Sequence, residues 1–289
     1  MIVTVTLNPA LHVGYQTNRV SRGGANPVSR VTYRAGGRGL AVARVLHTFG
    51  HDVVAAGLAG GASGEVIRAE LARVGVATQF TWISGESRRV LEVTDESDGT
   101  VTTFSEPAPY ITTEELGRLA ADYRSLMADA TAAVLCGSLP DGLPAETYGS
   151  LASYAAEAGV PVVLDAPGSA LRHAVSRRPA LVIPGTEADD PAALVAAGAG
   201  AVAILSGTGV RAITGEGEWS ARLAGQRTVA ATRDAMVAGF VPGIALAWSW
   251  PDTLAHAVAL AASSDRAGDV DLEAYERLLP RVSVMPVST

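Results

Sequence analysis

Two stretches carry residues whose types and spacing suit phosphate chemistry. In the first, Thr228-Val229-Ala230-Ala231-Thr232-Arg233-Asp234 runs into Ala235-Met236-Val237-Ala238-Gly239-Phe240, which reads as a strand end, a tight turn and a helix entered through an acid. A helix start leaves backbone N–H groups unpaired and carries partial positive charge, so a carboxylate there stays ionised and the adjacent amides can hold an anion. A base aimed at a hydroxyl, beside amides that stabilise phosphate oxygens, is what phosphoryl transfer requires. Asp234 is the candidate base, and the amides from Ala231 through Thr232 and Arg233 to Asp234 are the candidate anion hole. The competing reading is a plain helix cap, a frequent use of Asp. The second stretch, Ala35-Gly36-Gly37-Arg38-Gly39-Leu40-Ala41, is a glycine-rich turn opening a helix. There the backbone can approach a ligand closely and present free amides.

The elements that must position these residues follow a repeated βα order. An apolar run at 2–7, closed by Asn8-Pro9, predicts a buried strand opening a sheet. Residues 13–34 alternate around Gly23-Gly24 and predict short strands. Strand 53–61 and an amphipathic helix at 65–74 ending at Gly75 form a βα unit. Residues 80–103 alternate around Gly85 and Asp98-Gly99 and predict a hairpin. Helical periodicity at 113–129 precedes the apolar strand 132–136. A helix at 144–158, strands at 160–164 and 201–205, and helices from 234 toward 247 and at 254–262 follow. The stretch 270–284 predicts a last helix and strand. Together these give a three-layer α/β fold with two β-rich insertions and no linker dividing it.

Composition narrows the function classes. The chain has 289 residues, 48% of them hydrophobic, enough to bury a full core. Its one cysteine, Cys136, cannot form an intramolecular disulfide and sits in an apolar strand, where Cys is usually a small core residue. A net charge of −7 argues against a nucleic-acid surface. Every one of the 22 basic residues is arginine, which excludes Schiff-base and general-base lysine chemistry. No apolar run is long enough to span a bilayer, so the expectation is a soluble, cytoplasmic protein.

The run from Asp234 to Phe240 resembles the signature helix of the PfkB branch of the ribokinase-like sugar kinases, the branch holding 1-phosphofructokinase and tagatose-6-phosphate kinase. Three further stretches are similar to that family. They are the opening Thr4 to Leu11, the Gly36-Gly37-Arg38-Gly39 turn, and Gly137-Ser138-Leu139-Pro140-Asp141-Gly142-Leu143-Pro144. The resemblance spans nearly the whole chain. It implies a single ribokinase-like α/β/α sandwich over 1–289 with a small β-lid from about 12–34 and 87–105, the 80–103 hairpin being assigned to that lid. It also implies ATP with Mg2+ as phosphoryl donor and possible homodimers through the lid.

By position the resemblance makes His12, Gly36, Gly37, Arg38, Arg88 and Ser138 candidates for substrate binding, with Arg88 and Ser138 on a substrate phosphate. It makes Glu187, Ser206, Gly207 and Gly209 candidates for the nucleotide, with Glu187 also the candidate metal ligand. The chain departs from the family at several of these places. The family's Gly-Ala-Gly before the aspartate is Ala231-Thr232-Arg233, so Arg233 either obstructs the anion hole or supplies charge to it. His12 stands for an Asp that bonds sugar hydroxyls, and Ala41 for an Asn. The expected activity is ATP-dependent sugar-phosphate phosphorylation, of weak or altered specificity. The alternatives are an inactive relative that binds a sugar phosphate or nucleotide as a regulator, and the same fold with an unrelated ligand.

Overall fold

Strand β1 (Ile2–Thr6) is buried along its whole length and pairs in parallel with β4 (Val53–Gly60) on one side and β8 (Ala132–Cys136) on the other. A run of small and β-branched apolar residues with no exposed face belongs at the centre of a parallel sheet. The computed structural model describes residues 1–185, 190–206, 209–223, 233–265 and 269–287. In it β9 (Val162–Asp165), β10 (Leu181–Val182) and β11 (Ala201–Ser206) continue the parallel sheet beyond β8. The antiparallel strands β12 (Gly209–Thr214), β13 (Gly217–Leu223) and β14 (Val282–Pro286) then extend it to one edge.

Alternate residues of β1 feed two separate cores. Ile2 joins the cluster formed with α1 (Arg38–Thr48), α2 (Gly61–Arg73), α7 (Arg233–Leu246) and α8 (Trp250–Ala262). Val3 and Val5 join the cluster formed with α3 (Thr113–Met127), α4 (Thr147–Glu157), α5 (Gly168–Val175) and α6 (Pro191–Ala196). Because side chains alternate along a strand, one sheet carries helices on both faces, giving three layers. A last helix, α9 (Leu272–Leu278), packs Tyr275 and Leu278 against the first cluster.

A second sheet of four strands, in the order β3-β2-β6-β7, takes its strands from two places in the chain. Strands β2 (Ala10–Thr17) and β3 (Arg30–Gly36) come from the 13–34 region, and β6 (Arg88–Asp95) and β7 (Val101–Ser105) from the later β-rich one. The expectation for 80–103 needs correction. Its first part is β5 (Ala77–Ile83), which pairs in parallel with β4 as an edge of the large sheet. An edge strand of a covered sheet is half solvated and alternates much as a hairpin strand does, so the periodicity of the 80s fits both placements. Helix α4 starts at Thr147 rather than 144, and α7 stops at Leu246, where Ala247 turns to φ 52°.

Candidate active site

The site lies at the edge formed by the C-terminal ends of the parallel strands, where open α/β sheets place their ligands. Thr6 ends β1, Cys136 ends β8 and Asp165 ends β9, and Asn8, Gly137-Ser138 and Pro167 follow them. Helix α1 begins at this edge through Gly37, whose φ of 131° favours glycine and whose Cβ would meet the Thr6 side chain at 2.6 Å. This close entry brings Arg38 over the strand ends.

Two adjoining cavities open here. The larger, about 540 Å³, is bordered by His12, Thr32, Arg34, Gly36, Gly37, Arg38, Ala41, Arg44, Glu92 and Asp234. The smaller, about 220 Å³, is bordered by Thr6, Asn8, Gly37, Arg38, Arg88, Cys136, Gly137, Ser138 and Pro167. Gly37 and Arg38 line both. In the smaller cavity Arg88 Nε donates to Asn8 Oδ1 at 3.1 Å, and Asn8 Nδ2 donates to Ser138 Oγ at 3.3 Å. An arginine, an amide and a hydroxyl around a small space form a set of donors suited to a phosphate. Burial pushes the Cys136 thiol well up, so it contributes no nucleophile there.

Asp234 lies in the first turn of α7 and faces the larger cavity. The helix start favours its ionised form, and its burial works against that. Burial pushes its carboxyl up to about 6, and Asp165 adds to the rise while Arg38 and Arg233 oppose it. A carboxylate with that value is ionised at neutral pH yet basic enough to accept a hydroxyl proton. Arg233 neither blocks the cavity nor reaches into it. Its Nε and Nη2 donate to the Asp165 carboxylate at 2.8–3.2 Å, and Nη2 also donates to the Ile183 and Pro184 carbonyls at 3.1 and 2.7 Å. Asp165 is fully enclosed and also accepts from Arg38 Nη1 at 3.0 Å.

His12 is half-buried, and its ring occupies the space that a β-carbon on Gly36 would need. Its Nδ1 is 3.8 Å from Glu92. Burial lowers its pKa, Glu92 opposes this, and nearby arginines add to it, so the ring is neutral at pH 7. Ser206 and Gly209 lie apart from these cavities, paired at the facing ends of β11 and β12, where Ser206 Oγ donates to Gly209 O at 3.2 Å. Ala231, Thr232, Glu187 and Gly207 lie outside the described residues. Asn8, Asp165 and Glu92 are contributors that the sequence reading did not single out as ligands. The signal for Asn8 and Asp165 was their place just past an apolar strand; Glu92 carried none.

Among the described residues, no group of three or more His, Cys, Asp or Glu can hold a metal ion. Asp165 is taken up by two guanidiniums. The described residues do not fit a protein-held metal. Magnesium carried on donor phosphates needs no such cage.

The profile of the pfkB family carbohydrate kinases matches residues 10–264. The chain belongs to that family. Among curated relatives, a tagatose-6-phosphate kinase of Staphylococcus epidermidis is 35% identical over 171 residues, 59% of this chain and 54% of the relative. The chain thus spans little more than half the length of that relative. A solved Staphylococcus aureus structure, 26% identical, covers 99% of both chains at a TM-score of 0.87. Escherichia coli phosphofructokinase-2 in complex with fructose-6-phosphate is 24% identical, with a TM-score of 0.81 over 96% of this chain and 98% of that one. The three-layer α/β/α architecture of this pfkB family member is therefore that of the ribokinase-like kinases.

Proposed function

We propose that the chain is an ATP-dependent kinase of phosphorylated sugars. The observation that carries this reading is the pairing of the two cavities across Arg38, with a half-buried base in one and the Asn8, Arg88 and Ser138 donors in the other. A sugar phosphate would set its phosphate in the smaller cavity and its free hydroxyl toward Asp234. Asp234 then takes the hydroxyl proton as that oxygen bonds to the γ-phosphorus of ATP, the bond to the β-phosphate oxygen breaks, and ADP departs. Arg38, between the cavities, adds positive charge beside the transferring group. Magnesium would arrive on the ATP phosphates and neutralise part of their charge. The cytoplasm, where ATP and phosphorylated sugars are plentiful, is the proposed location. Among the described residues no helix is long and apolar enough to cross a membrane.

The small sheet is proposed as a lid that also pairs two copies. Its strands alternate two faces. His12, Thr32, Arg34 and Glu92 border the larger cavity, while Val13, Tyr15, Val31, Tyr33, Leu91, Val93 and Phe104 share the opposite face through the β2–β3, β2–β6 and β6–β7 registers. Val31, Tyr33 and Phe104 are 46%, 57% and 59% exposed, an apolar surface of the kind that pairs with its own copy.

The test is ADP release from magnesium ATP across a panel of hexose phosphates, with Asp234→Asn run beside wild type. Turnover that disappears in the variant is the expected result. Saturable sugar-phosphate binding without turnover in the wild type would instead favour the regulatory binding protein.

A further inference from the structure

Arg233 borders neither cavity, yet it holds the buried carboxylate that Arg38 also uses. The division of that carboxylate is unequal. Arg233 occupies Oδ1 with Nε and Nη2 and occupies Oδ2 with Nε, whereas Arg38 makes one bond, from Nη1 to Oδ1. A guanidinium facing a free carboxylate takes both oxygens in a two-bond fork, which neutralises it and fixes its plane. Arg233, reaching both oxygens, competes with Arg38 for that fork. Arg38, 41% exposed, is thereby left with most of its donors and charge turned to the cavities it lines.

We propose that Arg233 and Asp165 are positioning residues for the acceptor site. By holding both oxygens of Asp165, Arg233 keeps Arg38 singly tethered and presented to an anionic substrate at the wall between the two cavities. The proposal rests on the sugar-phosphate reading above and deepens it. It gives a purpose to the arginine that opens α7 just before the base and lines neither cavity. The same arrangement links α7, which carries Asp234, to α1, which carries Arg38, through one carboxylate at the end of β9. Removing Arg233 would let Arg38 swing onto both Asp165 oxygens, lowering the affinity of a cavity that Arg233 never touches. A direct long-range pull of the Arg233 charge on the ligand would also weaken binding, but that effect would not depend on Asp165.

Calorimetric titration with fructose 6-phosphate and with inorganic phosphate, neither of which requires turnover, separates these cases. Arg233→Met should raise Kd about fivefold or more in the wild-type background and less than about twofold in an Asp165→Asn background, because residues acting through one partner are not additive. Should Asp165→Asn fail to fold by circular dichroism, Arg38→Gln serves as the second background, and there too the Arg233→Met effect should vanish. An unchanged Kd in Arg233→Met, or an equal rise in every background, would overturn the proposal while leaving the kinase reading intact. A wild type that binds neither probe would overturn the acceptor reading, and the proposal with it.

Discussion

At the scale of single residues, the pKa of Asp234 trades stability for function. In the unfolded chain its carboxyl releases its proton near the ordinary 3.8, whereas the folded protein holds it to about 6. Between those values the folded state binds more protons, so its stability falls as pH rises through this window and stays lower above it. Asp234→Asn should therefore melt higher than wild type at pH 8, by on the order of 2 kcal/mol, with the gap closing below pH 4. The same variant should lose at least ~100-fold in kcat. In wild type, kcat/KM should climb from pH 5 to 7 with an apparent pKa of about 6 and then level off. A profile flat over that range would remove Asp234 as the base. Arg88→Ala should raise KM for a sugar phosphate by roughly tenfold or more, the worth of a lost charge-assisted hydrogen bond, while leaving KM for ATP nearly unchanged. Asn8→Ala should give a smaller rise, since Asn8 touches both Arg88 and Ser138 but carries no charge.

Among the elements, α3 shows how a helix start far from the chemistry holds the β5 side of the sheet. Thr112 caps the helix and Glu115 completes the reciprocal box, while the Glu115 carboxylate also accepts from the Ser84 amide and hydroxyl at 2.7 and 2.9 Å, just beyond β5. Burial pushes Glu115 up, but the donors of Thr112 and Ser84 outweigh it and bring the carboxyl to about 2. The resulting stability is fully present above the ordinary 4.5 and is lost as pH falls toward 2. Glu115→Gln should thus melt lower than wild type at pH 7, with the difference shrinking as a melting series approaches pH 2. Thr112→Ala should cost about 1 kcal/mol. The α1 turn was legible as clustered glycines because that is a local pattern, whereas the Thr112–Glu115 box was not read from the sequence and only the periodicity of its helix was. The grip of Arg233 on Asp165 was not legible: 68 positions separate them, and only the packed ends of β9 and β10 bring them together. The assignment of β5 failed for a related reason, since alternation fixes a strand but not the sheet it joins.

For the whole molecule, the apolar face of the small sheet predicts self-association. Sedimentation should show a dimer, and Tyr33→Asp with Phe104→Asp should yield a monomer whose melting temperature at high dilution matches that of the diluted wild type. A wild type that stays monomeric at micromolar concentration would remove the paired-lid reading. That face was written in the alternation of Val13, Tyr15, Val31 and Tyr33, whereas the partnership of β2 with β6 joins segments too distant for any local pattern to pair. Strand β1 is made before both of its neighbours but sits inside the large sheet, with β4 on one side and β8 on the other. Once β4 has emerged, the other flank of β1 must wait for 132–136, roughly 80 residues later, or roughly 4–16 s at ~5–20 residues per second. During that interval an apolar strand presents an unpaired edge to the cell, so the nascent chain, more than the finished fold, is where this protein is exposed to misassociation and where a chaperone would matter most.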